Sequence, residues 1–261
     1  MKISPPLFLA ASISLAVVAA CKTTSSLPPV APRAAESLAP DTASQSTKLG
    51  ELAKVSTKTD KGPTEHNYVE VYERFIFQWR YDPIKVFEIG IDKGGSLVMW
   101  EEYFPKASIY GLDINDMSRL AHGRVKTIVG DQSKRHELQR AIDISGGNID
   151  ILIDDGGHTM EQQQVSLGYL FKFVKPGGYY ILEDLHTSIA ARWPDFGAEP
   201  DGNNSTLRMI ENYMWSEPPT FKSKYMLSEE MKYLNENVEF ANLLHRSRHG
   251  SIVCIFKKKS S

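Results

Sequence analysis

Residues 149–158 read IDILIDDGGH, and residues 177–186 read GGYYILEDLH. Each is a short apolar run that ends in a pair of acids, with a histidine close behind. The first carries Asp154, Asp155 and His158; the second carries Glu183, Asp184 and His186. Short apolar runs bounded by turn residues predict buried strands. If the two strands are parallel neighbours, their carboxyl ends lie side by side, and all these acids and histidines share one rim. Carboxylates at that spacing repel one another unless a cation neutralises them. The stretch therefore predicts a divalent-metal site at the open end of an α/β sheet.

Working upstream, KVFEIG (85–90) is a further buried strand that runs into a glycine-rich turn, Gly90 to Ser96, and then a helix from about Ser96 to Tyr103. Strand, glycine turn and helix form a nucleotide-cradling unit, because glycines admit close backbone approach and a helix N-terminus is electropositive. The turn is neither GxGxxG nor a P-loop. The next run, SIYGLDIN (108–115), places Asp113 at a strand's carboxyl end, where an acid accepts hydrogen bonds from ribose hydroxyls. VKTIVGD (125–131) follows, ending in Asp131 with Gln132 and Ser133 beside it. Helices are expected through Leu138 and Ala141 and from about Met160 to Val174. The Lys175-Pro176-Gly177-Gly178 turn then leads into a strand at 179–183.

Strands alternating with helices predict a single Rossmann-like, doubly wound, mostly parallel sheet, with ligands at the strands' carboxyl ends. Downstream, 187–204 reads as an irregular excursion near the site, followed by a helix around 205–214. Two late runs, 238–245 and 251–258, read as an antiparallel hairpin closing the sheet. Lys257, Lys258 and Lys259 read as a solvated tail. Trp193 and Tyr213 are candidate walls of an acceptor pocket. Before the sheet, Thr59-Asp60-Lys61-Gly62 reads as a turn. His66 to Gln78 then shows helical spacing with an aromatic face.

Formal net charge is −2, which gives nucleic acid no bulk electrostatic attraction. The only cysteines, Cys21 and Cys254, exclude a disulfide framework and a thiolate metal site. Residues 1–21 hold one cation, Lys2, an apolar run from Leu7 to Ala20, and Cys21. That build is a secretory signal rather than a membrane-spanning helix. Its end, Val18-Ala19-Ala20-Cys21, resembles a bacterial lipoprotein signal, which implies a lipid anchor at Cys21 and a membrane-anchored place in the cell envelope. Residues 22–58, rich in Ser, Thr, Ala and Pro, read as a disordered linker, and 59–261 as the folded domain.

Together Glu88-Ile89-Gly90 with Gly94, Asp113, Gly130-Asp131 and the Lys175–Gly178 turn resemble a class I S-adenosylmethionine-dependent methyltransferase. Thr59-Asp60-Lys61-Gly62 with His66 and Tyr68, and the two acid–histidine clusters, narrow the resemblance. They are similar to the metal-dependent sugar O-methyltransferases of macrolide biosynthesis (macrocin and mycinamicin type) and to the related cephalosporin hydroxylase-like group. The resemblance implies that Asp155, Glu183 and Asp184 ligate Mg²⁺ and that His158 is the general base. It also implies that Glu88, Gly90, Gly94, Ser96, Asp113, Asp131 and Gln132 surround S-adenosylmethionine. The acceptor would be a small molecule or glycan with vicinal hydroxyls. Asp154 and His186 read as structural support.

The two strongest signals conflict, because S-adenosylmethionine is a cytoplasmic cofactor and a lipoprotein signal exports the domain. Alternatives are an enzyme on a cytoplasm-facing anchor, a membrane-tethered non-catalytic binding module on the same fold, or another metal-dependent enzyme of envelope polysaccharide. Fold alone does not choose among them.

Overall fold

The computed structural model describes residues 47–55, 59–246 and 250–261. The lipoprotein-type segment at 1–21 and most of the expected linker lie outside the described residues. The linker expectation fails at its end, because Lys48–Val55 is a helix, α1. Leu49, Leu52 and Ala53 are buried; their i, i+3, i+4 spacing is the apolar stripe of a packed helix. The next helix, α2, spans Val69–Ile76, shorter than the His66–Gln78 periodicity, with a 3₁₀ turn at Phe77–Trp79 taking up the remainder.

Seven strands follow: β1 (Lys85–Ile89), β2 (Ser108–Asp113), β3 (Val125–Val129), β4 (Ile149–Asp154), β5 (Val174–Leu182), β6 (Val238–His245) and β7 (Ile252–Lys258). They form one sheet in the order β3-β2-β1-β4-β5-β7-β6. β1 to β5 pair in parallel, and β7 runs antiparallel to both β5 and β6. The order reverses between β1 and β4, and that is where open α/β sheets bind ligands. The Lys175–Gly178 turn lies within β5, and the register against β4 shifts between Ile149 and Ile151.

Helices α3 (Gly95–Tyr103), α4 (Arg135–Ser145) and α5 (Met160–Leu170) make the crossovers. Two more, α6 (Thr206–Trp215) and α7 (Ser228–Asn237), precede the hairpin. Successive strand residues face opposite sides. Phe87, Leu152, Tyr180 and Phe256 pack with Leu138 and Leu167 of α4 and α5. Val86, Ile151, Ile181 and Ile255 pack with Leu49, Tyr72 and Trp100 of α1, α2 and α3. With both faces covered, the strands read as unbroken apolar runs rather than alternating ones.

The solvated-tail reading fails at Lys258, which is buried. Its ammonium donates to the carbonyls of Lys172 (2.9 Å) and Val174 (2.7 Å), satisfying the end of the turn after α5.

Candidate active site

At the carboxyl end of β1 the chain turns at Gly90, whose φ is +86°. A Cβ there would lie 2.0 Å from the carbonyl oxygen of Asp155, so only glycine lets the β1 and β4 turns touch. Asp113 fixes the turn. Its Oδ2 accepts from the Ile91 amide at 2.9 Å, and its Oδ1 accepts from the Asn115 amide at 2.8 Å. Above these turns opens a cavity of about 580 Å³. Of the predicted cofactor residues, Gly90, Ser96, Asp113, Asp131 and Gln132 line it, and so does His158.

Glu88 and Gly94 do not line it. Glu88 is fully buried beneath the floor and accepts from the Ser96 hydroxyl at 2.6 Å. Gly94 caps α3 in the left-handed region, with the Leu120 side chain against its Cα. Both shape the cradle from behind.

Gln132 touches the cavity, but its amide is committed elsewhere. Its Oε1 accepts from the Gly157 amide at 2.7 Å, and its Nε2 donates to Asp154 Oδ1 at 2.9 Å. Asp154 also accepts from the Tyr180 hydroxyl at 2.7 Å and from the Ser166 hydroxyl. It is a buried anchor under the turn, as its place in the strand body suggested.

The metal-side rim regroups the predicted ligands. Asp155, His158 and Asp184 each offer a ligand atom within 4.8 Å of the others. Glu183 is not among them. It is buried, with Oε1 3.0 Å from the ammonium of Lys61. Lys61 also pairs with Asp155 and lies 3.5 Å from Glu88. The sequence reading missed Lys61, although the crowding of acids demanded positive charge nearby and part of it comes from the protein itself. Its place, in a glycine turn ahead of the sheet, was the available signal. Thr59 and Asp60 of the same turn line the cavity.

His158 and Asp184 both adopt left-handed backbone, with φ of +57° and +54°. Side-chain-bearing residues visit that region at a cost, typically where a site demands a particular orientation. Thr187 helps hold the pair in place, donating to the carbonyls of His158 (3.0 Å) and Asp184 (2.9 Å). Both imidazole and carboxylate are thereby aimed at one point, with His158 Nε2 3.5 Å from Asp184 Oδ2 and 3.9 Å from Asp155 Oδ1.

Charge sorts the carboxylates. Burial pushes Asp155 well above the usual carboxylate range; Glu183 adds to this and Lys61 opposes it. Burial raises Glu183 to about 8 against the pull of Lys61. Burial also works upward on Asp184, but His158, His66 and His186 outweigh it and hold Asp184 below its ordinary value. Burial lowers His158, so its imidazole is neutral and able to take a proton. Desolvation works against the ammonium of Lys61, yet Asp155, Glu183 and Glu88 keep it charged.

Aromatic side chains wall the rim. Trp193 lies edge-on to His186 at 5.3 Å and meets Phe196, which faces His158 at 6.5 Å. His66, at the mouth of the same rim, reaches the Ser251 hydroxyl at 2.5 Å. The structure thus puts Trp193 beside the site. Tyr213 is elsewhere, stacked on Phe221 at 4.0 Å in the core.

The rim offers carboxylate oxygens from Asp155 and Asp184, and that donor set fits a hard cation such as Mg²⁺, which takes one or two carboxylates plus substrate or water oxygens. The reversed strand order, the glycine turn with Asp113 behind it and the acid–histidine rim define a class I S-adenosylmethionine-dependent methyltransferase fold. The chain is, more narrowly, a homologue of macrocin- and mycinamicin-type sugar O-methyltransferases. It is 39% identical over 159 residues to the demethylmacrocin O-methyltransferase of Streptomyces fradiae, covering 58% of this chain and 39% of that protein. It is 34% identical over 203 residues to the 8-demethyl-8-alpha-L-rhamnosyl tetracenomycin-C 2'-O-methyltransferase of Streptomyces olivaceus, covering 72% of this chain and 53% of that one. Its structure resembles the methyltransferase of the mycinamycin biosynthetic pathway solved in complex with Mg and SAH. That match has a TM-score of 0.67 at 30% identity and covers 83% of this chain and 56% of the other. The chain thus spans from about two fifths to just over half of the length of these relatives. No protein-family model matches it.

Proposed function

We propose that this chain is an S-adenosylmethionine- and Mg²⁺-dependent O-methyltransferase acting on a hydroxyl of a sugar or sugar-containing small molecule. The convergence of Asp155, Asp184 and a neutral His158 at the edge of the cavity carries the reading. When bound, S-adenosylmethionine supplies a methyl group on a sulfonium, and Mg²⁺ supplies a positive charge that orients vicinal hydroxyls and lowers their pKa. The chain's own residues do the rest. Asp155 and Asp184 hold the cation beside the cavity. Asp113, at the end of β2, faces the position a ribose takes in such folds. His158 Nε2 takes the acceptor hydroxyl's proton. The oxygen–carbon bond forms as the carbon–sulfur bond breaks, leaving a neutral thioether. Trp193 and Phe196 shield the rim and give a sugar's apolar face a surface to lie on. By their names the relatives methylate demethylmacrocin, mycinamicin VI and a rhamnosyl tetracenomycin; the acceptor here is named only by class.

Calorimetry of the purified protein with S-adenosylmethionine, with and without Mg²⁺, tests the reading. Binding is expected in both titrations, and its absence from both defeats the proposal.

The lipoprotein-type segment at 1–21 supports a further proposal, that Cys21 carries a lipid anchoring the domain in the cell envelope, or on a cytoplasm-facing membrane surface where the cofactor is made. Among the described residues no helix is long and apolar enough to cross a membrane. Cys21→Ala should move the protein from the membrane to the soluble fraction; continued membrane retention removes the lipid. That segment also favours the second reading, a tethered non-catalytic module, which the same calorimetry separates from the first.

A further inference from the structure

The segment from Thr59 to Tyr68 precedes the sheet and contributes none of the expected ligands. Its backbone is nevertheless fixed tightly. The Asn67 amide donates to the Gly62 carbonyl at 2.9 Å, and the Tyr68 amide to the Lys61 carbonyl at 3.0 Å. That brace points two buried side chains into the metal-side rim. Lys61 pairs with Oδ2 of Asp155. The Tyr68 hydroxyl donates to Oδ1 of Asp184 at 2.9 Å. In each case the other oxygen, Asp155 Oδ1 and Asp184 Oδ2, is the one that faces His158 Nε2, at 3.9 and 3.5 Å.

The coincidence is specific. Two carboxylates from different strands are each bound through one oxygen by the same ten-residue segment, and each presents the remaining oxygen to the same imidazole. We infer that the 59–68 segment is a clamp that makes Asp155 and Asp184 one-oxygen ligands and thereby sets where the cation, and the hydroxyl it orients, sit relative to His158. Lys61 and Tyr68 are positioning residues in this scheme. The inference rests on the metal-dependent reading above.

The chemistry supports the division of labour. A carboxylate free on both oxygens can chelate a cation with both and draw it in line with its own axis. Engaging one oxygen removes that mode and leaves a single direction of approach. Hydrogen-bond partners of metal ligands typically change affinity 10–100-fold when removed. The two side chains differ in sign. Tyr68 is neutral, so losing its hydroxyl costs only orientation. Lys61 carries charge of the same sign as the metal, so losing it frees Asp155 Oδ2 and removes a competitor for the carboxylates.

The test uses the full chain and Mn²⁺, which reports on its own coordination by electron paramagnetic resonance. Tyr68→Phe keeps the ring and its stacking against His66 and Tyr72. It should weaken Mn²⁺ binding about 10-fold or more by calorimetry, alter the Mn²⁺ spectrum, and leave S-adenosylmethionine affinity unchanged. Lys61→Met should act oppositely on affinity, with Mn²⁺ bound more tightly and the metal-free protein melting lower. Tyr68→Phe protein that binds Mn²⁺ as tightly as wild type, with an unaltered spectrum, overturns the clamp, and that result stands even if Lys61→Met does not fold. Wild-type protein that takes up no Mn²⁺ overturns the metal-dependent reading and the clamp together.

Discussion

Asp154 and Asp155 are adjacent, as are Glu183 and Asp184, yet the structure gives the members of each pair opposite work. The first of each pair is buried, with its partners inside the fold. Asp154 is held by Gln132, Ser166 and Tyr180, and Glu183 by Lys61. The second of each pair turns out toward His158. The reason is the strand itself. Residues at the carboxyl end of a buried strand still alternate, so of two successive acids one must face into the packed layers. The other falls on the turn, where the backbone can aim it. The inner acids lie under the turns, and the outer ones converge on His158. On the metal-dependent reading proposed above, each double acid here supplies one anchor and one ligand.

The strongest way to break this division is at His158, the group toward which both outer acids point. His158→Ala should lower methyl transfer by about 10²–10⁴-fold, the usual contribution of a positioned general base. S-adenosylmethionine binding should survive, because the imidazole's Nε2 faces Asp155 and Asp184 on the metal side. Turnover within a few-fold of wild type would take the base role away from His158 and leave the outer acids as a charge cluster with no proton acceptor.

The next test sets an inner acid against an outer one. Asp154→Ala leaves the buried Tyr180 hydroxyl without its acceptor, while the Ser166 hydroxyl keeps the Gln162 carbonyl at 2.7 Å and the Gln132 amide keeps the Ser166 hydroxyl at 3.3 Å. A buried unsatisfied group costs about 1–3 kcal/mol, so the melting temperature should drop by several degrees while Mn²⁺ affinity of the folded protein holds. Asp184→Asn should do the reverse, weakening Mn²⁺ binding about 100-fold with the melting temperature little changed. If both variants lose metal and stability alike, the anchor–ligand distinction collapses.

Much of this was legible in the sequence, and the misses share a physical cause. The alternation of strands and helices, the cradle and the acid–histidine rim follow from periodicity and from where glycines and acids fall, because backbone packing dictates those positions. Which carboxylate does what is decided by partners far away in the chain. Lys61 reaches Asp155 across 94 residues, and its glycine turn marks the segment without showing which acid it meets. The motif also cannot show that one ammonium, that of Lys61, lies beside both Asp155 and Glu183. The helix Lys48–Val55 was hidden by its Ser- and Thr-rich flanks, since an apolar stripe two turns long is outweighed by its neighbours' composition. Lys258 looked like tail for the same reason: its flanking lysines suggest solvent, while the fold needs an ammonium to satisfy carbonyls in the turn after α5.

The finest distinction concerns Glu183, whose carboxyl burial pushes up where its neighbour Asp184 is held down. Its folded pKa of about 8 lies above the usual 4.5 because burial outweighs the attraction of Lys61. A group whose pKa is raised on folding contributes stability that is complete below its unfolded value and fades as pH climbs through its folded one. The metal-free protein should therefore lose melting temperature gradually between about pH 4.5 and pH 8. Lys61 adds no slope in this window, since its own shift is upward from 10.5 and it stays charged throughout. Asp155 tilts the same way, so the slope belongs to both acids, and Glu183→Gln should reduce it without abolishing it. The amide keeps the shape and cannot ionise, so the variant should equal or exceed wild type near pH 8 and match it near pH 5. Melts across that range read the effect directly. An unchanged slope would mean that Glu183 is ionised throughout, paired with Lys61 as a simple salt bridge. It would then be as available to a metal as its neighbour Asp184.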